Sequence, residues 1–167
     1  SVFHHFPTKE HVIAAVTTEI FGRQLPHMRA VLAVGAPPDV SLYKLVRDDA
    51  LFAAGGEGDE RRVFLLPEIR SSQFPQVREM WEAMAETYAD VLQRGIAAGL
   101  LRDVPTRVTA EFLCTLPIVS IVSFSSERFG TEREIGRQVA RFALRSLLTK
   151  PARLEAIEKQ ALSIHVR

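Results

Sequence analysis

Apolar residues along this chain recur at intervals of three and four, and seldom at intervals of two. Val12, Ile13, Val16 and Ile20 start one such stripe, and Phe21, Leu25, Met28 and Leu32 extend it. That spacing predicts an amphipathic helix with Thr8 as its N-cap and a kink at Pro26. His11 stands where a capping box would have Glu, so the predicted cap is only half made. "VGAPPD" (34–39) breaks the pattern. Asp39 or Ser41 then opens a second helix through Leu42, Leu45, Val46, Leu51 and Phe52, which stops at "AAGGEGD" (53–59). Glu60–Ile69 reads as a third helix carrying Val63, Phe64, Leu65, Leu66 and Ile69, bent or shortened by Pro67. After "SSQFPQ" (71–76), Pro75 suits a first helical position. Val77, Met80, Trp81, Met84, Tyr88, Val91, Leu92 and Ile96 then mark a long amphipathic helix that ends at Gly99.

Thr106–Glu127 is the one segment with two readings. Its middle, "PIVSIVSFSS" (117–126), is rich in β-branched residues and could pass for a strand. Ile118, Ile121 and Phe124 nevertheless recur every three, as do Ser120, Ser123 and Ser126, so the spacing predicts a helix. Thr131 or Glu132 starts another, Glu132–Leu148, with Ile135, Val139, Phe142 and Leu147 turned inward. A last helix runs from Pro151 with Leu154, Ile157, Ala161 and Ile164. No run alternates with period two. The fold class predicted is all-α, about seven helices with short connections.

The totals narrow the picture. The chain has 167 residues, 47% hydrophobic and 25% charged, which is ordinary composition for one domain with a sizeable core. Its formal net charge of +1 provides no chain-wide field for nucleic acid or membrane. Cys114 is the single cysteine, so no internal disulfide forms, and it reads as a small buried hydrophobe in a reducing, cytoplasmic setting. No signal peptide is evident. The most apolar stretch, Phe112–Val122, is too short to span a bilayer, so a soluble protein with no membrane partner is expected.

Candidate chemistry is sparse. The nucleotide-binding, hydrolase and metalloprotease signatures are absent, and "GGEGDE" (55–60) lacks the lysine and the preceding strand of a phosphate loop. His4, His5, His11 and His27 do not share a helical face, since Pro7 interrupts the spacing, so neither a metal nor a cofactor is expected. Glu68, Glu79, Glu82 and Glu86 read as solvated partners of nearby arginines. Trp81, Met84, Tyr88, Phe112 and Leu116 are either core or the lining of a cavity, with core favoured by periodicity alone. The serine stripe, on a helix apolar on its other faces, suits close approach of another helix and so a surface for self-association.

"SVFHHFPTKEHV" (1–12) resembles the end of the DNA-recognition helix and the following turn in the TetR family of bacterial regulators. The family pattern is a small residue, a hydrophobe, Tyr, an aromatic, His, Phe, two turn residues, Lys and Glu. Ser1 to Glu10 follow it, with Phe3 in place of Tyr. "LLPEIRSSQFPQVREMWEA" (65–83) and "RGIAAGLLRD" (94–103) are similar to the family's regulatory domain. The resemblance implies a TetR-like regulatory helical bundle with a remnant of the N-terminal helix–turn–helix. Residues 1–8 would end the recognition helix and turn, 9–33 would be the connecting helix, and 34–167 the ligand-binding and dimerisation domain. The chain would then begin inside the DNA-binding unit, and operator DNA, as a partner, would require the upstream segment.

By the same resemblance, Ser1, Phe3, His4, His5 and Lys9 would contact DNA. Lys9 also has a physical case, since it lies in a first helical turn whose amides attract phosphate. The helices 105–129 and 132–148 would form the homodimer's four-helix bundle through Ile118, Ser120, Ile121, Ser123, Phe124, Val139, Phe142 and Ser146. A cavity among the helices at 39–54, 60–72, 75–99 and 105–129 would be lined by Phe52, Leu65, Ile69, Trp81, Met84, Tyr88, Phe112 and Leu116. No charged residue clearly points inward in the sequence pattern, so an apolar or aromatic small-molecule effector is expected. The function implied is a ligand-responsive transcriptional regulator, a repressor rather than an enzyme. Two alternatives stand beside it: a helical dimerisation module without a ligand, and an enzyme using Glu68 and Tyr88 in the same cavity.

Overall fold

A computed structural model describes residues 8–54, 75–123 and 130–166. Six α-helices account for nearly all of them: α1 (Lys9–Ala33), α2 (Pro38–Ala54), α3 (Pro75–Ala97), α4 (Thr106–Ser123), α5 (Glu132–Leu147) and α6 (Leu154–Leu162). A 3₁₀ turn, Pro151–Arg153, leads into α6. The fold is all-α, as the spacing predicted. The predicted helix at 60–69, and the end of the predicted Thr106–Glu127 helix, lie outside the described residues.

The helix boundaries follow from local chemistry. Thr8 takes the extended N-cap conformation, yet its hydroxyl pairs with His11 Nδ1 at 2.9 Å instead of capping a backbone N–H. Pro26 is accommodated within α1, which runs through to Ala33. α2 begins one residue before the predicted Asp39, at Pro38, whose missing N–H costs nothing at a helix start. Thr131 and Glu134 form a complete capping box at the start of α5: each side chain accepts the other residue's backbone N–H. Gly99 leaves α3 with φ +66°, a conformation open to glycine. Leu101 then pairs with Leu148 in an isolated antiparallel bridge, which ends α5 at Leu147 and ties the two chain reversals together.

α2 is the hub, packing against α5, α4, α6, α3 and α1. Every residue from Asp39 to Val46 is buried, so this helix is enclosed on all sides and not on one stripe. Around it Tyr43, Leu42, Leu45, Met28, Val31, Tyr88, Leu92, Leu144, Leu148 and Ile157 make one continuous core. α6 closes the far side by burying Leu154, Ile157 and Ala161. Two polar contacts hold it there: Arg153 Nη1 lies 3.0 Å from Asp39 Oδ2, and Glu158 accepts hydrogen bonds from Arg137 and Arg141.

One orientation on α5 differs from the prediction. Ile135 and Leu147 are buried and Val139 is half-buried, but Phe142 points outward and is 72% exposed. Among the described residues no further helix covers it.

Candidate functional site

Two regions gather the residues singled out in the sequence. The first lies at the centre, where α1, α2, α3 and α4 meet. Met84 and Tyr88, one helical turn apart on α3, are both buried here. The Tyr88 hydroxyl donates a 2.5 Å hydrogen bond to Asp49 Oδ2 on α2. Asp49 is only 2% exposed. Burial pushes its carboxyl up to about 6, against hydrogen bonds from Tyr88 and from Gln24 on α1 that favour the charged form. Burial, followed by the Asp49 charge, raises Tyr88 well above the ordinary phenol range and raises the Cys114 thiol on α4 as well. Beside this cluster, His27 Nε2 of α1 lies 2.8 Å from Asp48 Oδ2, which Lys44 Nζ also approaches to 2.6 Å. α1 is therefore joined to α2 by a polar seam.

Asp49 overturns the expectation that no charged residue points inward. Asp39, Lys44 and Glu158 are buried as well. The signal was present: Leu42, Leu45, Val46, Asp49 and Ala53 share one helical stripe, so a carboxylate on it had to enter the core.

The other predicted cavity residues divide. Trp81 is half-buried, and its indole N–H donates to Glu111 Oε2 at 2.9 Å. Phe52 follows Asp49 by one turn and is 39% exposed. Phe112 does not join Met84 and Tyr88. It is 69% exposed, because residues 110, 113, 114 and 117 form the inward face of α4 and residue 112 falls on the other. Leu65, Ile69 and Glu68 lie outside the described residues.

The second region is the outer face of α4 and α5. Val108 and Phe112, four residues apart on α4, stand exposed, as does Phe142 on α5. Phe112, Leu116, Phe142 and Ser146 border a shallow, mostly apolar hollow of about 390 Å³. Of the predicted association residues, Ile118 and Val139 are half-buried, while Phe142 and Ser146 are exposed. The Ser146 hydroxyl donates to Ala143 O at 2.7 Å. Ser120, Ile121 and Ser123 belong to α4, but their side chains, and Phe124 altogether, lie outside the described residues. Sequence reasoning missed Val108 and assigned Phe112 to the cavity. Their spacing of four, without buried residues in that register, was the available signal.

At the other end of the molecule, Lys9 opens α1. Ser1, Phe3, His4 and His5 lie outside the described residues. No described helix is long and apolar enough to cross a membrane.

Solved structures share this architecture. A TetR-family regulatory protein from Rhodococcus RHA1 superposes with a TM-score of 0.72 at 20% identity, over 87% of this chain and 77% of that one. A TetR/AcrR-family transcriptional regulator from Thermobifida fusca YX-ER1 gives 0.71 at 19% identity, over 86% and 76%. AmtR from Mycobacterium smegmatis gives 0.69 at 21% identity, over 99% and 79%. No protein-family model matches the sequence, and no curated protein is significantly similar to it. The chain has a TetR-like fold.

Proposed function

We propose that this TetR-like chain is a ligand-responsive, DNA-binding transcriptional regulator, acting as a homodimeric repressor. The observation that carries the reading is the fold itself, shared with proteins described as regulators at TM-scores near 0.7. The outer face of α4 and α5 supports it. A second copy placed there would cover Val108, Phe112 and Phe142 and complete a four-helix bundle. Ser1, Phe3, His4, His5 and Lys9 are the proposed DNA contacts, and each copy would present them to one major groove.

The effector would act at the joint of α1 with α2 and α3. Gln24 and His27 of α1 meet Asp49 and Asp48 there, so a ligand that displaces these partners alters how α1 leaves the core. Trp81, Met84 and Tyr88 suit an effector with an apolar or aromatic body, and Asp49 suits one that also carries a hydrogen-bond donor. Such a ligand shifts the equilibrium only by the difference in its affinity for the DNA-competent and incompetent forms.

The test is fluorescence anisotropy of the full-length protein with DNA flanking its own coding region, at two salt concentrations. Tight, salt-sensitive binding, displaced by unlabelled specific DNA but not by random DNA, is expected. Weak binding indifferent to sequence overturns the regulator reading. Unchanged DNA affinity with every small molecule that binds overturns the allosteric part.

A further inference from the structure

On the side of α5 away from Phe142, the helices α2, α5 and α6 border an open groove of about 850 Å³. Arg133, Arg137 and Arg141 recur every four residues along one flank of α5, roughly opposite the flank that carries Val139, Phe142 and Ser146. The groove therefore stays open when the outer face is covered. Gly136 sets its floor. A Cβ at that position would lie 2.9 Å from both the Arg47 carbonyl oxygen and Leu51 Cγ, so α2 and α5 approach without an intervening side chain. α6 forms the far wall through Glu155, Glu158, Lys159 and Leu162.

The charges do not cancel. Asp48 is shared by Lys44 and Arg47, and Glu158 by Arg137 and Arg141, so each carboxylate leaves one cation in surplus. Arg133 and Lys159 have no ion pair among the described residues. Glu134 is occupied by the capping box at the α5 terminus, whose dipole it complements. Beneath the groove, the Tyr43 hydroxyl is fully buried and lies beside Glu158 without a hydrogen bond of normal geometry. Glu158 is the acceptor within reach of this buried hydroxyl and can turn to take its hydrogen bond in full.

We propose that this groove binds a small amphipathic monoanion, a carboxylate on an apolar body, with Arg133, Arg137 and Lys159 holding the head and Leu51 and Leu162 the body. The guanidinium groups match a carboxylate's two oxygens. Arg137 turns from Glu158 toward the incoming head, while Glu158 keeps Arg141 and gains Tyr43. Glu155, on the same wall and in no ion pair among the described residues, opposes a second negative charge and so selects a monoanion over a dianion. The volume is that of a small-molecule site.

Octanoate and octanol are the probes, matched in apolar body and differing in charge. Each is titrated calorimetrically into the full-length protein at low and high salt. Octanoate is expected to bind about tenfold more tightly than octanol at low salt, with the difference shrinking at high salt. In the double variant R133Q/K159Q the advantage should fall while octanol affinity and thermal stability hold, since both side chains are exposed and neither forms an ion pair among the described residues. Octanoate binding no tighter than octanol, or an advantage undiminished in the double variant, overturns the proposal. No readout involves DNA, so this site stands or falls separately from the regulator reading.

Discussion

Asp49 shows how one residue can oppose the fold that contains it. Its carboxyl titrates near 4 in an unfolded chain and is pushed up to about 6 in the core, because burial disfavours the charge more than Tyr88 and Gln24 favour it. The folded state thus holds this proton more tightly than the unfolded state does. Asp49's favourable contribution is fully present below about pH 4 and is lost as the pH rises through about 6. The variant D49N removes the charge and keeps an oxygen to accept from Tyr88. Chemical denaturation from pH 4 to 8 should find D49N stabilised relative to the parent by a few kcal/mol above pH 6, with the difference falling away toward pH 4. A difference independent of pH would show that Asp49 holds its proton no more tightly in the core than in the unfolded chain. The stripe that carries Asp49 was legible in the sequence. What faces it was not, because Tyr88 lies 39 positions away on another helix.

At the scale of elements, close approach and capping outweigh propensity. Gly136 is a poor helix former in the middle of α5, and alanine there would favour an isolated helix by about 1 kcal/mol. In the folded chain the added methyl would meet the Arg47 carbonyl oxygen and Leu51, both at 2.9 Å. The carbonyl belongs to the backbone of the buried hub helix and has little room to move. G136A should therefore destabilise the protein by about 1–3 kcal/mol despite the propensity gain, as measured by the urea midpoint. A rise in the midpoint would mean that α2 and α5 separate easily, and the groove floor described above would be wrong. The sequence marked α5 through its apolar stripe and a start at Thr131 or Glu132. It did not show that α2 is enclosed on every side, because Lys44 and Asp39 look like solvent-facing residues until α4, α5 and α6 are packed around them.

At the scale of the whole molecule, exposed aromatic surface is the main unbalanced feature. Phe112 and Phe142 border one apolar hollow on the outer face, and Val108 is exposed four residues before Phe112, which is the observation behind the proposed self-association. F112D and F142D place charge where a second copy would exclude water. Light scattering coupled to size-exclusion chromatography should find a dimer for the parent and a monomer for the double variant F112D/F142D. The thermal midpoint measured at low concentration should change little. A dimer that survives both substitutions would place self-association elsewhere.

The hydrophobic spacing alone determined that the chain is helical, where most of the helices start and stop, and that Tyr88 and Met84 share an inward face. These are local properties, set by side chains three and four positions apart and by capping groups next to the turns they cap. Only the tertiary structure decided that Phe112 faces outward, that a carboxylate sits beside Tyr88, and that surplus arginines border a groove on α5. Each of these depends on which distant helix lies opposite a given face. The spacing of residues along one helix carries no information about what it will meet.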